Sequence, residues 1–362
     1  MVTFHRANNL GAVLQASALN EYINNNFCSC EIIDFCPNNS IPWRNPVFKA
    51  LSFLKKQLSR LKYRDKYLQE KRFNDFKKIY YILSKKTYYG DTDIKSNPPK
   101  YDVLISGSDQ IFNTTLSGNS KSYYLDFDND TKKVSYASSF GRENITDAEY
   151  GLVETELSKF QSLSVREASA ADIIESKLGI RPELVLDPVF LLDKSMWESR
   201  CNNEMKIPYS EYIFVYSMEN TELICKTVEK IKNQYNIPVI IVRGGGGKLE
   251  IAGIEDSSCG PKEFLRYIRD AEIVVTNSFH GTAFSLIFEK DFVCVAHSKR
   301  NARLENIMNL VGRKDKVIDN SGKLTDIDNF VVNGKDIVEI LDANIDNSKK
   351  YLSKCLNEVN AL

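Results

Sequence analysis

A short β-branched run that breaks into a polar turn and then into helical spacing occurs at three places in this chain. Val2–His5 precedes the turn 6–11 and a helix over Ala12–Ile23, and Ser162–Glu167 passes into a helix over 168–178. The third is the most regular. Ile273–Val275 leads to the polar segment Thr276–Thr282, and Ala283, Phe284, Leu286, Ile287 and Phe288 then crowd onto one broad helical face. Each is half of a βαβ unit, so the chain reads as α/β with parallel sheets.

The rhythm restarts after an interrupted stretch around 195–210. A strand over Tyr212–Tyr216, a helix over Thr221–Tyr235 and a strand over Val239–Val242 follow in order. With 362 residues the chain exceeds one ordinary core. We expect a first domain over 1–205, a second over 206–330, and a terminal helix in 331–362 able to cross back onto the first.

In open parallel sheets, ligands sit beyond the carboxyl ends of the strands, where helix N-termini direct unsatisfied N–H groups at them. His280 lies in such a turn with Gly281 beside it, which gives an anion pocket a titratable group. A cap or a satisfied polar residue is the ordinary reading of the same pattern. Arg166 stands at another of these turns, where a guanidinium can grip a carboxylate or phosphate, or else pair with Glu167 or a neighbour. Asp109 follows the strand Tyr101–Ser106 and reads either as an acceptor of a hydroxyl proton or as a turn aspartate.

Composition removes several classes. The 48 basic and 48 acidic residues balance, so no net charge draws the chain to nucleic acid or membrane. No apolar run is long enough to span a bilayer and no signal-peptide pattern opens the chain, which predicts a soluble cytoplasmic protein. The eight cysteines show no C-x-x-C pair and read as reduced, with no metal cluster.

Residues 46–86 depart from that balance. From Lys49 to Lys86, thirteen Lys or Arg face three acidic residues, interleaved with aromatics and leucines. This reads as a basic amphipathic helical insertion, suited to an anionic membrane surface or a phosphorylated ligand, or as a solvated hairpin over a cleft. No nucleic-acid module accompanies it. The run Gly244–Gly247 lacks phosphate-loop spacing and reads as a flexible loop.

Six segments, in order, carry a resemblance: Asn9–Ala16, SGSDQIFN over Ser106–Asn113, Ser135–Gly141, Ser164–Glu167, Leu186–Phe190 and TNSFHGT over Thr276–Thr282. The chain resembles the polysaccharide pyruvyl transferase family over about residues 1–312. The resemblance implies two Rossmann-like domains facing across a cleft, as in glycosyltransferase-B folds. It also implies transfer of the pyruvyl group of phosphoenolpyruvate to a sugar of a cell-surface polysaccharide precursor, with a pyruvate ketal formed and phosphate released. No cofactor or metal is implied beyond phosphoenolpyruvate as donor.

By the same resemblance, His280 and Arg166 are the catalytic pair, with Arg166 on the donor. Asn9, Gly11, Ser108, Asp109, Gln110, Asn277, Ser278, Gly281 and Thr282 line the substrates. Some members of the family carry an arginine two residues before the histidine; this chain has Ser278 there, and Arg303 or Arg300, in the next strand-to-helix turn, is the replacement at hand. Implied partners are phosphoenolpyruvate and a sugar or lipid-linked acceptor, while the basic insertion leads us to expect peripheral contact with the inner face of the membrane. Two other readings suit this architecture: a nucleotide-sugar glycosyltransferase and a non-catalytic glycan-binding relative.

Overall fold

The computed structural model describes residues 1–37, 63–297, 302–319 and 327–357. These form two compact units, the first of Met1–Asn8, Ala12–Leu191 and Asp346–Leu362, the second of Asn9–Gly11 and Leu192–Ile345. The division falls between Leu191 and Leu192, ahead of the stretch where the sequence interrupts its pattern.

In the first unit, helix α1 (Leu10–Asn26) precedes β1 (Ile32–Cys36), α2 (Arg64–Tyr80), β2 (Leu83–Tyr89), α3 (Gly90–Ser96) and β3 (Val103–Ser106). Then come α4 (Thr114–Ser117), β4 (Lys132–Ser135), α5 (Asp147–Thr155), β5 (Ser164–Val165), α6 (Ala168–Leu178) and β6 (Glu183–Leu184). Strand pairs β1–β2, β3–β4 and β5–β6 are parallel. Parallel bridges from Val134 to Ser162 and from Ser138 to Val165 join β4 to β5.

The expected first strand, Val2–His5, keeps only its beginning. Val2 N–H donates to the Ile105 carbonyl and the Gly107 N–H donates to the Val2 carbonyl, both at 2.8 Å, while Ile33 N–H reaches Met1 O at 2.8 Å. His5 N–H then turns back to Thr3 O at 2.8 Å, which takes the chain out of the sheet. The opening segment therefore lies between β1 and β3, and the order runs β2, β1, opening segment, β3, β4, β5, β6. This is a Rossmann-like order, reversing direction at Val2.

The basic insertion is only partly helical. Helix α2 ends at Tyr80, and Leu83–Tyr89 forms β2. Ile82, Thr87, Tyr88 and Tyr89 favour extended backbone, and an edge strand tolerates Lys85 and Lys86 because one side faces water. Phe73 and Phe76 bury the inner face of α2. The portion 46–62 lies outside the described residues.

The second unit contains α7 (Lys194–Glu198), β7 (Ile213–Ser217), α8 (Glu222–Tyr235), β8 (Val239–Arg243), β9 (Ile254–Glu255), α9 (Pro261–Asp270) and β10 (Ile273–Thr276). Helix α10 (Phe279–Ile287), β11 (Asp291–Cys294), α11 (Ala302–Leu310) and α12 (Val338–Leu356) follow, the last passing into the first unit at Asp346. All five strands are parallel in the order β11, β10, β7, β8, β9. Direction again reverses, between β7 and β10.

Side-chain alternation along β7 explains the layers. Ile213 and Val215 face Ile224, Val228 and Ile231 of α8. Phe214 and Tyr216 turn the other way, where Phe214 stacks on Tyr267 at 5.5 Å and Tyr216 meets Phe264 edge-on at 4.7 Å. Both units are thus α/β with Rossmann-like parallel sheets, as the strand-turn-helix repeats predicted.

Candidate active site

In the second unit, the turn from β10 into α10 is built by side-chain hydrogen bonds. Thr276 Oγ1 donates to the Tyr216 carbonyl at 2.7 Å and accepts from the Ser278 N–H at 3.1 Å. Gly281 lies so close to this hydroxyl that a Cβ would fall 2.3 Å from it, so glycine is required by packing on Thr276. Ser278 is the N-cap of α10 and its hydroxyl accepts from Gly281 N–H at 3.5 Å. An arginine has no oxygen with which to accept this bond, so serine here serves the helix start.

His280 is the second residue of α10 and is 7% exposed. Its ring meets Phe279 edge-on at 5.1 Å. Gly11, counted in the same unit, backs the imidazole, and a Cβ at Gly11 would fall 2.1 Å from Nδ1. The first turn of a helix at a sheet's switch point is where an anionic group is best received.

Asn277 and Thr282, expected at the substrate, have polar atoms that hold the turn. Asn277 Oδ1 accepts from Met218 N–H at 2.7 Å and its Nδ2 donates to Glu219 O at 3.3 Å. Thr282 Oγ1 donates to Ser278 O at 3.2 Å and lies 3.1 Å from Cys294 Sγ. Arg303 is the second residue of α11, and Arg300 lies outside the described residues.

The glycine run after β8 is closely packed. Atoms of Met218–Asn220 fill the space that side chains at Gly244, Gly245 and Gly246 would need, lying 2.4 to 2.9 Å from where a Cβ would stand. Those glycines let the β8 loop lie against the β7 loop. Sequence reasoning missed what that second loop carries: Glu219 Oε1 lies 3.4 Å from Nδ1 of His297, which follows β11.

The first unit has its own carboxyl edge. Asp109 follows β3 with φ 81°, a left-handed conformation that costs a non-glycine residue about 1 kcal/mol. Its Oδ1 accepts from Gln110 N–H at 2.8 Å, and its carbonyl accepts from Ser139 N–H at 3.0 Å. The Ser108 hydroxyl is buried without a hydrogen-bond partner among the described residues. Gln110 fills the space over Gly141, where a Cβ would lie 2.0 Å from Oε1.

Arg166, at the β5 turn, is 6% exposed. Nε donates to Glu167 Oε1 at 3.0 Å and Nη1 to Asp187 Oδ2 at 2.5 Å. Burial opposes the charged guanidinium, but Glu167, Asp187 and Asp109 outweigh it and raise the pKa. The ion pair weighed against an anion clamp is therefore the observed state, and it ties β5 to the Asp187 loop.

A further polar cluster stands where the opening segment leaves the sheet. His5 Nε2 lies 2.9 Å from Asp34 Oδ1, and Arg6 binds the same carboxylate through Nε at 3.0 Å and Nη2 at 2.8 Å. Burial pushes Asp34 up, but the bonds from His5 and Thr87 and the Arg6 charge bring it down to about 2. Lys77 of α2 donates to Arg6 O at 3.0 Å and Asn8 Oδ1 at 2.9 Å, and burial followed by the Arg6 charge lowers it to about 8. His5 and His297 were the two histidines given no role from sequence: His5 closes the first expected strand and His297 precedes a basic turn, and no glycine stands beside either as Gly281 stands beside His280.

A sequence profile described as Polysaccharide pyruvyl transferase matches residues 9–299. No curated protein matches the chain. Among solved structures, the chain is similar to UDP-GlcNAc 2-epimerase from Neisseria meningitidis at 11% identity, over 94% of this chain and 90% of that one, with a TM-score of 0.47. The Methanocaldococcus jannaschii UDP-GlcNAc 2-epimerase gives 13% identity over 93% and 90%, TM-score 0.45. E. coli ADP-heptose LPS heptosyltransferase II gives 9% over 96% and 98%, TM-score 0.36. These structural similarities are weak.

Proposed function

Since the chain belongs to the polysaccharide pyruvyl transferase family, we propose that it moves the pyruvyl group of phosphoenolpyruvate onto two hydroxyls of one sugar, closing a ketal and releasing phosphate. The family makes the protein a transferase with a sugar or polysaccharide acceptor. The observation that carries the finer reading is His280 in the first turn of α10, at the switch point of the second sheet. A general acid at a helix N-terminus combines what the reaction needs: a proton for the methylene carbon and N–H groups for anionic oxygens.

The first hydroxyl oxygen bonds to C2 while C3 takes a proton from His280. The second hydroxyl then bonds to C2 as the bond between C2 and the bridging phosphate oxygen breaks, and phosphate leaves with the electron pair. Arg166 acts in this scheme by holding Glu167 and Asp187, which sets the β5 and Asp187 loops.

The acceptor reaches the protein at a membrane surface in this reading. Lys71 and Lys78 are exposed on α2, and Ile79, Ile82 and Leu83 at its end are 62%, 48% and 41% exposed. Basic charge beside exposed apolar residues suits anionic lipid. Among the described residues no helix is long and apolar enough to cross a membrane.

The test is thermal denaturation with phosphoenolpyruvate beside uridine and guanosine diphosphates. A ligand at a hundredfold excess over Kd stabilises by about 2.7 kcal/mol. Stabilisation by phosphoenolpyruvate, with phosphate release lost in His280→Ala, supports the proposal; stabilisation by a nucleotide alone overturns it.

A further inference from the structure

The carboxyl edge of the second sheet carries two imidazoles. Strands β10 and β11 are neighbours, with Thr276 opposite Cys294, and β7 flanks β10 on its other side, with Thr276 opposite Tyr216. Adjacent strands run about 4.8 Å apart, so side chains issuing just beyond three successive strand ends converge on one crevice. His280 follows the middle strand, Glu219 follows β7 and His297 follows β11. The Glu219–His297 contact, 3.4 Å from Oε1 to Nδ1, spans the end of β10.

Glu219 is firmly placed. Its carbonyl accepts from Ser217 Oγ at 2.5 Å and from Asn277 Nδ2 at 3.3 Å, and a Cβ on Gly246 would lie 2.8 Å from its Cα. Asn277 precedes the His280 turn, so the loop that aims the carboxylate is bonded to the loop that aims His280. The His297 and Glu219 side chains are 14% and 17% exposed, partly sheltered yet reachable. A carboxylate at Nδ1 holds the proton there, leaves Nε2 as the basic nitrogen and stabilises the imidazolium that forms when Nε2 takes a proton.

We propose that His297, oriented by Glu219, is a second catalytic residue: the base that takes the proton of the first attacking sugar hydroxyl. This rests on the pyruvyl-transfer reading and completes its proton balance. The hydroxyl oxygen bonds to C2, its proton passes to His297 Nε2, and the C2–C3 π pair takes a proton at C3 from His280. The second hydroxyl bonds to C2, the bond between C2 and the bridging phosphate oxygen breaks, and the proton of that hydroxyl leaves with the phosphate. Exchange with water then resets both imidazoles. Glu219 is a positioning residue, which touches His297 and no substrate.

The experiment compares the full-length wild type with His297→Asn and Glu219→Gln. Phosphate release from phosphoenolpyruvate is followed with p-nitrophenyl glycosides of galactose, mannose, glucose and N-acetylglucosamine, with thermal shift by phosphoenolpyruvate measured in parallel. His297→Asn should lower kcat about 10²- to 10⁴-fold, the range a general base supplies, and keep the thermal shift. Glu219→Gln should move the acid limb of the kcat profile down by about 1 pH unit, because the imidazolium loses its carboxylate. The Glu219→Gln profile also decides the matter if His297→Asn does not fold. An active wild type with unchanged kcat in His297→Asn, or an unmoved limb in Glu219→Gln, overturns the base assignment alone. A wild type with neither phosphate release nor a thermal shift overturns the pyruvyl-transfer reading and this inference with it.

Discussion

The imidazole of His280 occupies the space that a side chain at Gly11 would need, with Nδ1 only 2.1 Å from where a Cβ would stand. Residue 11 lies in the first turn of α1, where alanine in place of glycine ordinarily stabilises by up to about 1 kcal/mol. Here the sign should reverse. Gly11→Ala is expected to cost about 1–3 kcal/mol through overpacking and to lower kcat about 10²-fold by displacing the ring. Gly151→Ala in α5, where nothing lies within 4 Å, is the control and should stabilise. Urea denaturation of both variants checks this, and equal shifts of the same sign would refute it.

Arg166 is expected to matter first for folding. Glu167 and Asp187 side chains are 4% and 0% exposed, so Arg166→Met leaves two buried carboxylates without their cation. Removing one member of such a pair costs about 3–5 kcal/mol. Adding Glu167→Gln and Asp187→Asn to Arg166→Met should recover much of that loss, read as the denaturation midpoint in urea. A loss below about 1 kcal/mol in the single variant would show that the triad is not what holds the β5 turn.

Asp34 sets an acid limit on stability. Its folded pKa of about 2 lies below the usual 3.8, so the stabilisation is fully present above pH 4 and disappears as pH falls through 2. The difference corresponds to about 2 kcal/mol. Asp34→Asn should therefore be less stable than wild type at pH 6 and approach it at pH 2, in paired urea titrations at each pH.

Lys77 should be the amine that reacts early. Burial and the Arg6 charge lower it to about 8, whereas an ordinary lysine titrates near 10.5. Competitive acetylation at rising pH, read by peptide mass spectrometry, should place its half-reaction near pH 8. A half-point at 10 or above would contradict the burial of its ammonium group.

What could be read from sequence was what local pattern carries. The apolar run 273–275, the polar turn and the buried helix announced β10, α10 and the placement of His280 without any tertiary information. Strand β2 was hidden because its lysines make an edge strand look like the continuation of a basic helix. The glycines 244–247 looked mobile because sequence cannot show the Met218–Asn220 segment that fills the space beside them. Glu219 and His297 carry no motif, and only the order of three strands in the sheet brings them together. Ser278, which the resemblance placed among the substrate-lining residues, has its hydroxyl at the N-cap of α10, where it accepts from Gly281 N–H.

The path of the chain has a consequence for its biosynthesis. The first unit is left at Leu191 and re-entered at Asp346, where the Ser348 hydroxyl accepts from Leu186 N–H at 2.9 Å and the Tyr351 hydroxyl donates to Ser135 O at 2.8 Å. A ribosome making this protein from its amino end therefore delivers every residue of the second unit before the first has received its last helix. The unit begun first is the one completed last, and until α12 emerges Leu186 and Ser135 wait without those partners.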